Sequence, residues 1–323
     1  MRNIKRIIAA VISAVVLGAA LCGCSSGNSG SGAGSGDKPL VIATIFPAYD
    51  FARQVFGDTA EVRMLLKPGQ ESHSYDPSAK DIVEISGCDL FIYNGGESDE
   101  WVESVLKSAP EVSTFRMTEV VSLLDEEFSE GMQEHEHDVD DHDEHDEEFD
   151  EHVWTSPENA AAIVRALGNK AAELFPEYSE VLSSNAGSYA AQIDELDGRF
   201  KELFSGERRY FIFGDRFPLL YFFKEYGLNY YAAFPGCGSE TEPSAQTMTF
   251  LLEKLKDENS VPAVFCIELS SRRLADVLAG DTGLETVEFH TCHNISSDDF
   301  AAGETWLSIM QRNYDTLSDI LKR

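Results

Sequence analysis

Apolar residues along the chain alternate between short β-branched runs and longer stretches with three- and four-residue spacing. This pattern predicts strands alternating with helices. Leu40 to Ile45 reads as a strand, and Pro47 to Phe56 as a helix stopped at Gly57. Glu61 to Leu66 reads as a second strand, broken by Lys67-Pro68-Gly69-Gln70. A helix is expected from Pro77 to Ser86, a third strand from Asp89 to Tyr93, and another helix from Trp101.

Beyond residue 155 the pattern turns helical. Ser156-Pro157-Glu158 is a helix start with Ser156 as N-cap. A second helix from Pro176 to about Phe204 would span roughly 45 Å at the usual rise per residue. The alternation then resumes. Strands are expected at Tyr210–Phe213, Tyr230–Phe234, Val264–Ile267 and Thr286–Phe289. Helices are expected at Phe217–Tyr226, Ser244–Asp257, Arg272–Leu278 and about Glu304–Leu321. Strands separated by helices imply parallel sheets covered on both faces, with ligands at the carboxyl ends of strands. His73 falls in such a loop, and His290 stands at the end of the last expected strand.

Length and charge narrow the picture. A chain of 323 residues suggests two domains of ordinary size. The formal net charge of −32 argues against nucleic acid or an anionic membrane surface as the main partner. Sixteen acidic residues and no basic ones lie between Asp125 and Glu151, half of the net charge in one stretch. This stretch has no apolar periodicity, so it is expected to be unstructured without metal. Arg2, Lys5 and Arg6 followed by the apolar run Ile7 to Leu21 read as an export signal, the run being short for a membrane-spanning helix. The run ends in Leu21-Cys22-Gly23-Cys24, which resembles a bacterial lipoprotein signal with Cys24 as the lipidated residue. The Ser/Gly-rich segment after it would be a flexible tether.

Four cysteines then remain for the folded part. Cys88 and Cys266 lie in apolar runs and read as buried thiols. Cys237 and Cys292 lie in turn-like segments, where a disulfide between them is expected outside the cell. No C-x-x-C spacing points to thiolate metal ligation.

Histidine usage supplies the candidate chemistry. Of eight histidines, His135, His137, His142 and His145 alternate with carboxylates in the acidic stretch. Imidazole suits zinc, copper and nickel, so this tract reads as a loose metal-collecting loop, against the plainer reading of a solvated acidic insertion. His73, His152, His290 and His293 are left as candidates for one defined site.

The motifs TIFPAYDF, KPGQESHSYDPS, DLFIYNGGESDEW, DEHVWTSPENA and ETEPSA occur in this order from Thr44 onward. By these motifs the chain resembles the zinc and manganese solute-binding lipoproteins of bacterial ABC importers. The resemblance implies two lobes, each a four-stranded parallel sheet flanked by helices, joined by one long rigid connecting helix, with metal in the cleft between them. The implied layout is a signal peptide over 1–23, a tether over 24–38, and an N-terminal lobe over 39–175 carrying the acidic loop 125–151. The connecting helix is placed at 176–205 and the C-terminal lobe at 206–323. Carried over by position, the ligands are His73, His152 and, in place of the usual aspartate, His290. The third family ligand aligns with Gly214, which supplies no donor. Water, Asp215, Glu240, Glu268 or His293 could complete the set, and Asp215 and Glu268 could instead orient imidazoles.

The resemblance implies a receptor, not an enzyme, that is lipid-anchored outside the cytoplasm, monomeric, and hands Zn²⁺ to an ABC permease. Nitrogen donors favour zinc, with manganese or another divalent metal as the runner-up. Two other readings stay open. One is a metalloenzyme, disfavoured by the lack of an HExxH motif. The other is an extracellular metal buffer or adhesin that uses the tract alone.

Overall fold

The computed structural model describes residues 38–70, 72, 75–132, 149–236 and 242–323. The signal peptide, Cys24, His73, the tract histidines His135, His137, His142 and His145, Cys237 and Glu240 lie outside the described residues.

The first sheet is built from β1 (Leu40–Ala43), β2 (Glu61–Met64), β3 (Leu90–Tyr93) and β4 (Thr114–Arg116). All are parallel, in the order β2-β1-β3-β4. Helices α1 (Phe46–Phe56), α2 (Ala79–Ser86) and α3 (Glu100–Ser108) connect them. Helix α2 starts two residues later than the proline suggests. Ser78 takes the N-cap, and Asp81 closes a capping box with it. The second sheet repeats the plan with β5 (Tyr210–Phe217), β6 (Asn229–Pro235), β7 (Ser260–Ile267) and β8 (Glu285–Phe289), in the order β6-β5-β7-β8. Its pairs are also parallel.

Between the sheets run α4 (Pro157–Leu174) and α5 (Ser179–Leu203). Ser156 caps α4, its hydroxyl accepting from the Asn159 amide at 3.1 Å. The connecting helix is 25 residues long, roughly 37 Å at the usual rise. It is not isolated: it forms a tight hairpin with α4. A Cβ on Gly168 of α4 would lie 2.3 Å from the Cβ of Ala186, so this crossing requires glycine. The second sheet carries α6 (Leu220–Tyr226), α7 (Ala245–Leu255), α8 (Arg273–Thr282), α9 (Ser297–Ala302) and α10 (Trp306–Leu321). Among the described residues no helix is long and apolar enough to cross a membrane.

One apolar cluster runs from Val41 and Phe51 through Ile163, Leu167, Ile193 and Phe200 to Phe213, Phe265 and Trp306. The sheets are therefore separate, but the core that holds them is shared. A buried polar joint reinforces it. Asp50 of α1 accepts from the Tyr189 hydroxyl of α5 and from the Trp306 amide at the start of α10, both at 2.8 Å. A carboxylate at a helix N-terminus satisfies an orphan amide and meets the positive end of the dipole. The carboxyl ends of both sheets face one cavity of about 100 Å³.

Candidate metal centre

The segment Asp150-Glu151-His152-Val153-Trp154 is fully buried and fastened to both sheets. On the first-sheet side, the Asn94 amide after β3 donates to the Glu151 carbonyl at 2.8 Å. The Glu151 carboxylate accepts from the Ser98 amide at 3.0 Å and from the Ser98 hydroxyl. Gly96 makes room for it: a Cβ there would lie 2.2 Å from Glu151 Oε2. The motifs NGGESDEW and DEHVW are thus two halves of one joint. On the second-sheet side, Tyr221 of α6 donates its hydroxyl to the Asp150 carbonyl at 2.8 Å and accepts from the Leu124 amide at 3.1 Å. The Trp154 indole donates to the Thr291 carbonyl at 3.0 Å, and the Trp306 indole to the Trp154 carbonyl at 3.1 Å.

His152 is held at the centre of this segment. Asp150 Oδ1 accepts the His152 amide at 2.8 Å and lies 3.0 Å from Nδ1. A proton on Nδ1 directed at Asp150 leaves Nε2 as the metal-binding nitrogen. Burial disfavours charge on the ring, but Asp150 outweighs it and the His152 pKa rises, while Arg216 acts in the opposite sense. Gly236, which lines the cavity, would place a Cβ 3.3 Å from His152 Cε1, so glycine keeps the space beside the ring open.

His293 comes in from the second sheet. Its ring centroid is 5.3 Å from that of His152 and 5.1 Å from that of Trp154. Its Nε2 is hydrogen-bonded to Ser72 Oγ at 2.7 Å, across the cavity from the loop that leads to His73. The same two loops meet again where Gly69 donates to Asn294 Oδ1 at 3.1 Å and the Asn294 amide donates to the Gln70 carbonyl.

The other expected site residues make the following contacts. His290, like His152, lies behind the residues that line the cavity. Its Nδ1 accepts from the Cys292 amide at 3.0 Å, and Asn313 binds both its amide and its carbonyl. His293, three residues on, lines the cavity. Glu268 lines the cavity, yet its carboxylate accepts from the Thr291 amide, the Thr291 hydroxyl and the His293 amide at 2.7, 2.7 and 3.2 Å. Its Oε1 also lies 3.7 Å from His290 Nδ1. Asp215 accepts from the Arg216 and Ile267 amides at 2.9 and 3.2 Å, which holds a register shift in β5. Gly214 is sealed by α8, for a Cβ would lie 2.7 Å from Ala275 Cα. Arg216, two residues on, lines the cavity.

The expected disulfide is not formed at the described end: Cys292 is a free, fully buried thiol whose pKa burial pushes well up. Cys88 and Cys266 are buried free thiols as read. Among the described residues, no group of three or more His, Cys, Asp or Glu side chains is arranged to hold a metal ion. Reasoning from sequence missed Asp150, Ser72, Tyr221 and Arg216. Only Asp150 carried a signal, two residues before a candidate ligand.

A family model described as zinc-uptake complex component A, periplasmic, matches residues 41–320. The zinc-binding lipoprotein AdcA of Streptococcus pneumoniae is 30% identical over 305 residues, 94% of this chain. The chain spans 60% of that relative's length. The high-affinity zinc uptake system protein ZnuA of Bacillus subtilis is 31% identical over 312 residues, 96% of each chain. The crystal structure of the Zn(II)-bound ZnuA-like domain of S. pneumoniae AdcA superposes with a TM-score of 0.72 at 28% identity, covering 88% of this chain and all of that domain.

Proposed function

As the chain belongs to the family of zinc-uptake complex component A proteins, we propose that it is an extracytoplasmic receptor that takes Zn²⁺ into the cavity between its two sheets for delivery to an ABC permease. Zinc is its cargo, and it is a receptor, not an enzyme. The observation that carries the reading is the approach of His152 and His293, one from the segment pinned to both sheets and one from the turn after β8. Neutral imidazoles are suitable zinc donors, and the site is completed from a third side chain or water. His73 is proposed as that third ligand, next to the loop residue Ser72 that already touches His293. His290 is assigned to the turn and not to the metal.

Anchoring through Cys24, the Ser/Gly tether, the monomeric state and metal collection by the histidine tract belong to the same proposal. The lipoprotein-like end of the signal and the lipoprotein name of the pneumococcal relative support the anchor, and the alternation of histidine with carboxylates supports metal collection by the tract. Competitive zinc titration of the mature chain tests the site. One tight zinc per chain is expected, retained when residues 134–145 are deleted and lost in His152→Ala. Tight binding that disappears with the tract and survives His152→Ala would replace the receptor with an extracellular metal buffer.

A further inference from the structure

Trp154 sits where the two candidate ligands meet. Its ring centroid lies 5.4 Å from that of His152 and 5.1 Å from that of His293, and the two imidazoles are 5.3 Å apart, so the three rings close a triangle. The imidazoles come from distant parts of the chain, and the indole is fastened to both. It follows His152 by two residues, and its N–H donates at 3.0 Å to the carbonyl of Thr291, two residues before His293. The Trp154 carbonyl is held in turn by the Trp306 indole at 3.1 Å, and the Trp306 amide by Asp50 at 2.8 Å. Both tryptophans are fully buried, so neither ring can tilt without repacking its neighbours.

The spacing of the imidazoles is that of a loaded site. On one tetrahedral zinc, with Zn–N at about 2.1 Å and each ring centre ~1.1 Å behind its nitrogen, two imidazole centroids stand about 5.2 Å apart. At the right angle of an octahedral ion the same rings would stand about 4.5 Å apart. The observed 5.3 Å fits the tetrahedral case, whichever ring nitrogen of His293 faces the metal.

We propose that Trp154 is a positioning residue, which holds the His152 and His293 rings at tetrahedral separation before metal arrives. Rings wedged against one rigid plane need little reordering when metal binds, and the saved ordering appears as affinity. This inference rests on the receptor reading above and names what presets its site.

The test compares the mature wild-type chain with Trp154→Phe and Trp154→Leu by competitive zinc titration and Co²⁺ absorption, each with a melting curve. Trp154→Phe keeps a flat ring but loses the bond to Thr291, and should weaken zinc binding about tenfold. Trp154→Leu loses the plane as well and should weaken it about 100-fold, the upper end for residues that orient metal ligands. Co²⁺ in wild type should show the intense visible bands of tetrahedral cobalt, weaker in Trp154→Phe and weakest in Trp154→Leu. A lower Tm in both variants, with wild-type zinc affinity and Co²⁺ bands, would assign Trp154 to folding alone and overturn the proposal. If neither variant folds, wild type still decides. In metal-free protein labelled with nitrogen-15 tryptophan and assigned by triple-resonance NMR, the Trp154 indole should give one sharp signal protected from solvent exchange. A broadened or doubled Trp154 signal that sharpens only with zinc would overturn the proposal, because the metal would then set the ring. Failure of the receptor reading looks different: His152→Ala would bind zinc as tightly as wild type.

Discussion

Asp150 and His152 are locked together twice, through the His152 amide at 2.8 Å and through the imidazole Nδ1 at 3.0 Å, both on Asp150 Oδ1. One carboxylate oxygen therefore sets both the backbone and the ring. Tyr221 and Asn94 hold the flanking carbonyls from opposite sheets, so the ring is oriented before any metal arrives.

Asp150→Ala should weaken zinc binding by about 10- to 100-fold, the usual cost of removing a partner that orients a ligating histidine. Asp150→Asn should recover part of the loss, since its carbonyl can still accept from Nδ1. Competition titrations alongside melting curves separate the effects. A drop in Tm with unchanged zinc affinity would assign Asp150 to folding alone.

His293 and His290 should part company. His293→Ala is expected to lower zinc affinity by at least about 100-fold, as befits loss of a ligand from a site that needs four. His290→Ala should keep zinc affinity but lower stability by about 1–3 kcal/mol, because the Cys292 amide loses its buried acceptor. The reverse pattern would return the metal to His290.

Gly214→His places a histidine at the position where the resemblance leads one to expect a ligand, yet it should not tighten zinc binding. Its Cβ would fall 2.7 Å from Ala275 Cα, and overpacking of this kind costs about 1–3 kcal/mol. A stable variant with tighter zinc binding would show that α8 yields at this point.

Glu225 predicts a pH effect on stability. Its side chain is 5% exposed, and burial pushes its pKa up to about 8; Ser156 opposes the shift and Asp197 adds to it. The raised value means that the folded state holds a proton which the unfolded chain releases at the ordinary 4.5. This contribution is fully present below the unfolded value and is lost as pH rises through the folded one. Lys201, 3.9 Å away, softens the loss by facing the ionised form. Glu225→Gln should therefore gain on wild type as pH rises from about 5 to 9, seen as a widening Tm difference. A difference that stays constant across that range would remove Glu225 as the titrating group.

The two-layer plan was legible because strands buried on both faces read as continuous apolar runs between helical spacings. Gly57, Gly227, Ser156 and Pro157 marked their boundaries correctly. The misses share a cause. Strand β4 is three residues long and α9 six, too short for a period to emerge. In β5 the strand continues to Phe217 through an irregular register, where the sequence read a helix start.

By itself the sequence determined that this chain alternates strands and helices around a long helical connector, carries a histidine-rich acidic tract, and presents His152 in a motif of metal receptors. These features are local, written in period, caps and composition. Tertiary structure alone decided which histidine after β8 lines the cavity, which carboxylates hold backbone amides, and that Arg216 lines the cavity too. Each of these depends on contacts between residues far apart in the chain: Asn313 with His290, Ser72 with His293, and Ala275 against Gly214. Spacing along a strand end cannot distinguish His290 from His293, because the choice is made by the neighbours that the fold brings to each ring.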